Sequence, residues 1–399
     1  MPIPAQPPGL SKRTAFLHPS PIREILAVID RPGMVSFAGG LPSPESFPTI
    51  DAGDVPVAFL QYGPTEGEPA LRERIASNLR KLGLACDAEQ VLVVSGSQQG
   101  IDLVGKLFVD EGTPVAVESP TYLAALQVFR YYGARFVPIG PKGSDERPAF
   151  AYTIPTFQNP TGHCYSEAER DTLARLCDDT EMLLFEDDPY RDLVYGPCDR
   201  TPVCGRLKHA QWIYQGSFSK SFAPGLRLGF VAASPEFVPL LTRLKQAADL
   251  HSNRMSQWLV LRELEDPGCD ARLVRLANGY RAKRDGFAAA LKRHFSGLAD
   301  WQLPEGGLFF WLRLRTPVDT RELLQGAIKS SVAFMPGEAF YPDPSDGIGT
   351  MRLNFSHANA VEAERGLAAL AGLVAGFSGR ATRATSASAS APSRHFRAG

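Results

Sequence analysis

The chain has 399 residues, 44% of them hydrophobic and 21% charged, with a formal net charge of −1. That balance suits a soluble globular protein with one large domain and one or two smaller ones, and it gives no electrostatic reason to expect a nucleic acid or an anionic membrane as partner. No apolar run reaches a membrane-spanning length and the N-terminal stretch lacks the apolar core of a signal peptide, so the expected location is the cytoplasm. The six cysteines, at 86, 164, 177, 198, 204 and 269, form no CxxC pairs and have no His cluster beside them. This argues against a metal site or a disulfide framework, and single buried thiols are the expectation.

Residues 1–20 are rich in proline and polar side chains and read as a loose arm. Residues 21–29 carry apolar side chains at helical spacing, with Pro21 suited to the first turn; the stretch 21–60 is expected to pack with a small domain. Val35-Ser36-Phe37-Ala38 leads into Gly39-Gly40-Leu41-Pro42, where paired glycines permit either a close backbone approach to a ligand or a plain tight turn. From about residue 67, helical patterns at 68–82, 98–109, 122–132 and 166–178 alternate with short apolar strands at 91–94, 114–118, 134–139, 152–154, 182–186, 212–214 and 228–232. Such alternation predicts an α/β domain over 61–296 with a mostly parallel sheet covered on both faces, and ligands at the carboxyl ends of its strands. A long helix over 270–295 bears a solvated basic face, residues 297–376 read as a smaller α+β domain, and the Ala/Ser/Thr/Arg tail over 377–399 reads as disordered.

Chemistry concentrates at strand ends. Lys220 follows the apolar run 212–214 in Ser217-Phe218-Ser219-Lys220-Ser221-Phe222-Ala223-Pro224-Gly225-Leu226-Arg227-Leu228-Gly229. A lysine there loses hydration, which lowers its pKa and frees a nucleophilic amine, although taken alone a lysine reads first as a surface charge. Arg227 offers a planar donor fork suited to a phosphate, with the Ser217 and Ser219 hydroxyls as further donors. Ser95-Gly96-Ser97-Gln98-Gln99-Gly100 opens a helix after a strand and presents free N–H groups to an anion, or is an ordinary helix cap. Asp187 and Tyr190, after the strand at 182–186, are either loop caps or functional groups; Asn159-Pro160-Thr161-Gly162 makes a turn in any case; Tyr122 alone reads as a core aromatic.

Together these stretches resemble the pyridoxal-phosphate (PLP) motifs of fold-type I aminotransferases, class I/II. The lysine stretch matches the pattern S-x-S-K-x-x-x-P-G-x-R-x-G at every fixed position. The resemblance spans roughly residues 20–375 and implies a large domain with a seven-stranded, mostly parallel sheet plus a smaller α+β domain. It implies that Lys220 bonds to the cofactor and is catalytic, that Arg227, Gly96, Ser97, Gln98, Ser217 and Ser219 hold the phosphate, and that Asp187 pairs with the pyridinium nitrogen. Asn159 and Tyr190 would bond to the ring oxygen, Tyr122 would stack on the ring, and Tyr62 would reach the phosphate across the interface of a homodimer with shared sites. Arg352 matches the arginine that grips the substrate α-carboxylate, with Asn159 and Gly40 beside the substrate. Ile22-Arg23-Glu24-Ile25-Leu26 and Ser36-Phe37-Ala38-Gly39-Gly40-Leu41-Pro42 are similar to the branch containing 2-aminoadipate aminotransferases and kynurenine aminotransferases of the second type, where Arg23 would meet a distal carboxylate. The implied activity is ping-pong transfer of an amino group between an L-amino acid and a 2-oxo acid such as 2-oxoglutarate. The same scaffold also serves PLP-dependent lyases, decarboxylases and oxidases, and the PLP-binding module of MocR-type regulators, whose DNA-binding domain has no counterpart in the short stretch before residue 21.

Overall fold

The computed structural model describes residues 9–17, 31–50, 53–140 and 147–389. The expected helix over 21–29, with Arg23, lies outside the described residues, as does much of the arm. Within that arm Lys12–Phe16 forms a 3-10 turn, and Arg13 lies 5.4 Å over the Tyr132 ring.

The strands are, in chain order, β1 (Val35–Ser36), β2 (Val91–Val94), β3 (Pro114–Val117), β4 (Arg135–Pro138), β5 (Ala151–Thr153), β6 (Leu184–Asp188), β7 (Trp212–Ser217), β8 (Gly229–Ala233), β9 (Ala299–Trp301), β10 (Phe309–Leu314), β11 (Val332–Ala333), β12 (Met335–Pro336) and β13 (Thr350–Asn354). Seven of them form one sheet in the order β2-β8-β7-β6-β5-β3-β4. Only β8 runs against its neighbours; the remaining pairings are parallel. Parallel strands need both faces covered, and the side chains divide accordingly. Leu92, Val94, Val115, Val117, Tyr152, Phe185 and Ile213 pack under the helices Ser97–Phe108, Leu123–Tyr131 and Val238–Asp249. Val91, Val93, Ala116, Ala151, Leu184 and Tyr214 pack on the opposite face with the helices Pro69–Lys81, Glu167–Thr180 and Arg254–Glu265. This period of two decides which way every strand residue points.

Local sequence explains the punctuation. Pro69 occupies the first turn of its helix, where no N–H partner is needed, and Ser166 with Glu169 closes a capping box ahead of Glu167–Thr180. The long helix Cys269–Phe295 leads to an antiparallel sheet of order β12-β13-β10-β9, backed by Thr320–Lys329. β1 pairs in parallel with β11, so the segment before the large domain joins this second core. The last helix, Ala360–Ala389, runs on through 377–389, a stretch that composition assigns to a disordered tail. Its alanines and arginines are good helix formers, and adding residues to an existing helix avoids the cost of a new nucleus.

Candidate active site

The carboxyl ends of β2, β3, β5, β6 and β7 lie along one edge of the sheet, and the chain leaves each of them through a residue singled out from the sequence. Gly96 follows β2, Tyr122 follows β3, Asn159 follows β5, Asp187 sits near the end of β6, and Lys220 follows β7. Arg352 arrives from β13 of the second sheet.

Asp187 points to the same face as Phe185, two residues earlier, and is buried. Its Oδ1 accepts from Gln215 Nε2 at 2.8 Å and its Oδ2 from the Tyr152 hydroxyl at 2.7 Å. Gln215 is the residue paired with Asp187 between β6 and β7, and Tyr152 comes from adjacent β5. Among the described residues no cation pairs with Asp187. Burial therefore lifts its carboxyl from 3.8 to about 6, against the two hydrogen bonds that favour the charged form. Gln215 also explains Gly100, since a Cβ there would overlap Gln215 Oε1. Neither Gln215 nor Tyr152 was singled out from the sequence; the signal was a polar residue inside the apolar run of β7.

Lys220 Nζ donates to the Gly40 carbonyl at 2.8 Å. The side chain is half-buried, and burial first, then the charges of Arg352 and Arg227, brings its amine down to about 8. Arg352 is 3% exposed. Its Nη2 donates to the Ala38 carbonyl at 2.7 Å and its Nη1 to Asn159 Oδ1 at 2.8 Å, while the guanidinium carbon lies 4.0 Å over the Phe309 ring and 5.0 Å over Phe340. Its buried Nε has no partner. Burial pulls this guanidinium down to about 10. Asn159 Nδ2 donates to the Tyr190 hydroxyl at 3.3 Å, and the Tyr190 ring meets Phe309 edge-on. Tyr122 senses the charges of Asp187, Arg352 and Arg227, and burial holds its phenol up at about 12.

At the edge of this cluster Gly96 has φ +80° and caps the helix Ser97–Phe108, leaving the first N–H groups of Ser97 and Gln98 free of intrahelical partners. A Cβ on Gly96 would stand 2.5 Å from Arg227 Nη2, so only glycine leaves room for that guanidinium beside the helix N-terminus. Ser219 N donates to Ser217 Oγ at 3.2 Å between Lys220 and β7. Tyr62 is separate: it is 75% exposed, its ring meets His251 edge-on, and no hydrogen bond or ring contact joins it to Lys220, Asp187 or Arg227 among the described residues.

A family model, "Aminotransferase class I and II", matches residues 56–148 and 151–370. The chain is a class I/II aminotransferase. This aminotransferase is 39% identical to the 2-aminoadipate transaminase of Thermus thermophilus over 371 residues, 87% of the chain and 92% of the relative. It is 35% identical to aromatic-amino-acid aminotransferase 1 of Thermococcus litoralis, over 90% of the chain and 93% of that protein. Among solved structures it superposes with a TM-score of 0.81 on an α-aminoadipate aminotransferase from T. thermophilus complexed with N-(5′-phosphopyridoxyl)-L-leucine, at 36% identity, covering 92% of this chain and 97% of the other. The fold is that of the type I PLP enzymes, and the aminotransferase uses PLP. The site fits that group: a buried carboxylate without a cation, a glycine-lined helix N-terminus beside an arginine, and a lysine with a lowered pKa gather at one edge of the sheet. No helix among the described residues is long and apolar enough to cross a membrane.

Proposed function

We propose that this aminotransferase moves the amino group of an L-amino acid, of the 2-aminoadipate, aromatic or aliphatic class, to a 2-oxo acid such as 2-oxoglutarate in a ping-pong cycle. One observation carries the reading. Arg352 Nη2 binds the carbonyl of Ala38 and Lys220 Nζ binds that of Gly40, so a carboxylate grip and a reactive amine meet on two carbonyls of one loop. That pairing would serve the carboxylate and the Cα of a single α-amino acid. The names of the similar proteins support the donor class.

Bound PLP supplies a cationic ring that accepts electron density from the substrate Cα. The chain's residues do the rest. Arg352, braced by Asn159 and the two phenylalanines, binds the substrate α-carboxylate through its fork and its free Nε. Lys220 would hold the cofactor and, as a free amine, move the proton from the substrate Cα. Asp187 would hold the ring nitrogen proton, with Tyr152 and Gln215 fixing its carboxylate. Tyr190 and Asn159 would bind the ring oxygen, Tyr122 would cover the ring, and Arg227, Ser217, Ser219, Gly96, Ser97 and Gln98 would bind the phosphate. Gly40 lines the substrate side, and Arg23, outside the described residues, would meet a distal carboxylate.

We also place the enzyme in the cytoplasm as a homodimer. Val57 at 81%, Leu60 at 67% and Tyr62 at 75% exposure form an apolar run that a second copy would cover, bringing Tyr62 to the partner's phosphate site. The test is a visible-absorption titration of PLP-loaded protein with 2-aminoadipate, glutamate, leucine, phenylalanine and kynurenine, with the keto acid quantified. One donor should convert the cofactor to its amine form, and 2-oxoglutarate should restore it. Release of ammonia without the amine form, or no response to any donor, would overturn the proposal.

A further inference from the structure

Composition suggests isolated buried thiols, and Cys86, Cys177, Cys204 and Cys269 are indeed buried. Cys164 and Cys198 are different. Both are partly exposed and pack against the same apolar core, and the proton equilibrium of each thiol depends first on the other. Cys164 Sγ also donates to the Asp199 carbonyl at 3.3 Å and lies 3.7 Å from Arg170 Nη2. Arg170, itself fully buried, donates to the carbonyls of Pro155, Asp199, Thr201 and Tyr165, so it holds the two cysteine segments against each other. A partly exposed thiol beside a guanidinium and a second thiol is the setting in which a cysteine reacts.

We propose that Cys164 and Cys198 form a reversible thiol–disulfide switch that responds to a hydroperoxide and alters the grip on the amino acid. Cys164 is the attacking sulfur: neighbouring Cys198 first, with help from Arg170, holds it down to about 7 against the effect of burial. Its thiolate attacks one peroxide oxygen, the O–O bond breaks, and a sulfenic acid forms as hydroxide leaves. The Cys198 sulfur then attacks the Cys164 sulfur; the S–S bond forms, the S–O bond breaks and water departs. The two thiols lose two electrons in all, which reduce the peroxide. A dithiol reverses the reaction by exchange.

The consequence lies in what the bond would tie together. Cys164 closes the turn that carries Asn159, with Gln158 N donating to the His163 carbonyl at 2.8 Å. Cys198 lies on the segment that follows Tyr190 and is pinned by Tyr195 N donating to the Glu305 carbonyl at 2.7 Å. A covalent link therefore joins the segments on either side of the Asn159–Tyr190 hydrogen bond, and Asn159 positions Arg352.

The experiment treats the holoenzyme with hydrogen peroxide, maps peptides by mass spectrometry and measures kinetics before and after dithiothreitol. The wild type should lose two hydrogens, yield one cross-linked peptide joining residues 164 and 198, and show a severalfold rise in KM for the amino acid that dithiothreitol reverses. Cys198→Ser should stop at a sulfenic acid on residue 164, trapped by dimedone, and Cys164→Ser should stay unoxidised at residue 198 at the same dose. Absence of the cross-linked peptide in the wild type, oxidation of Cys198 in the Cys164→Ser variant, or a cross-link that leaves KM and kcat unchanged would each overturn the switch.

Discussion

Arg352 Nη1 and Asn159 Oδ1 stand 2.8 Å apart, which makes a strand of the small sheet and a turn of the large domain one hydrogen-bonded unit. Asn159 passes the chain to the Tyr190 hydroxyl, which accepts and so keeps its own proton for a ligand. Asn159→Ala removes both links and leaves two buried partners unsatisfied. Steady-state kinetics should show kcat/KM reduced by about ten- to a hundredfold, the range for losing one or two buried hydrogen bonds. Asn159→Asp should do no better, because a carboxylate beside Arg352 competes with that of the substrate.

Asp187 makes a prediction whose sign differs between apo and holo protein. Its folded pKa, about 6, lies above the ordinary 3.8, so between those values the native state binds more protons than the unfolded chain. Stability from this group therefore falls as pH rises from about 4 to 6, and the cost is fully present above 6. Asp187→Asn should stabilise the apo-protein at neutral pH by up to about 3 kcal/mol, the value of a shift of about two units. Gln215 Oε1, buried without a partner, can turn to accept from the new amide. Urea unfolding of both apo-proteins at pH 7.5 measures this, and the variant should at the same time bind PLP more weakly and lose turnover.

Much of this was legible because strand ends carry chemistry. The alternation of short apolar strands and helices specifies a covered parallel sheet, and its carboxyl edge then collects Gly96, Tyr122, Asn159, Asp187 and Lys220. Side chains that act through another residue left weaker marks. Tyr152 looks like a core aromatic until the pairing of β5 with β6 aligns it on the face of Asp187. Phe309 and Phe340 look like core residues too, and only the fold sets them against the Arg352 guanidinium. The approach of Cys164 to the segment of Cys198 and Asp199 depends on the path of the chain around Arg170, which no local spacing encodes.

Lys220 should titrate far below an ordinary lysine in the apo-protein. Burial and the two arginine charges favour the neutral amine, so the native state binds fewer protons than the unfolded chain between about 8 and 10.5, and stability from this group rises with pH across that window. Competitive labelling with acetic anhydride, read by mass spectrometry, should place the midpoint of Lys220 reactivity near 8. Arg352→Gln removes the larger of the two opposing charges and should move that midpoint upward. Lys220→Ala should abolish turnover.

Gly96 separates an effect on cofactor grip from an effect on the ring site. At φ +80° a side chain is strained, and an added Cβ would stand 2.5 Å from Arg227 Nη2. Arg227 is exposed, so its guanidinium can swing away rather than force the backbone to move. Gly96→Ala should therefore fold, with about 1–3 kcal/mol lost to strain, and bind PLP about tenfold more weakly, equivalent to about 1.4 kcal/mol. Gly100→Ala acts elsewhere: its Cβ would overlap Gln215 Oε1 and so displace the amide that holds Asp187. Absorbance titration of each apo-protein with PLP, followed by kcat at saturating cofactor, distinguishes them. Gly96→Ala should recover most of its kcat once saturated, because its defect lies in phosphate binding. Gly100→Ala should not, since saturation leaves the Asp187 carboxylate without its Gln215 partner.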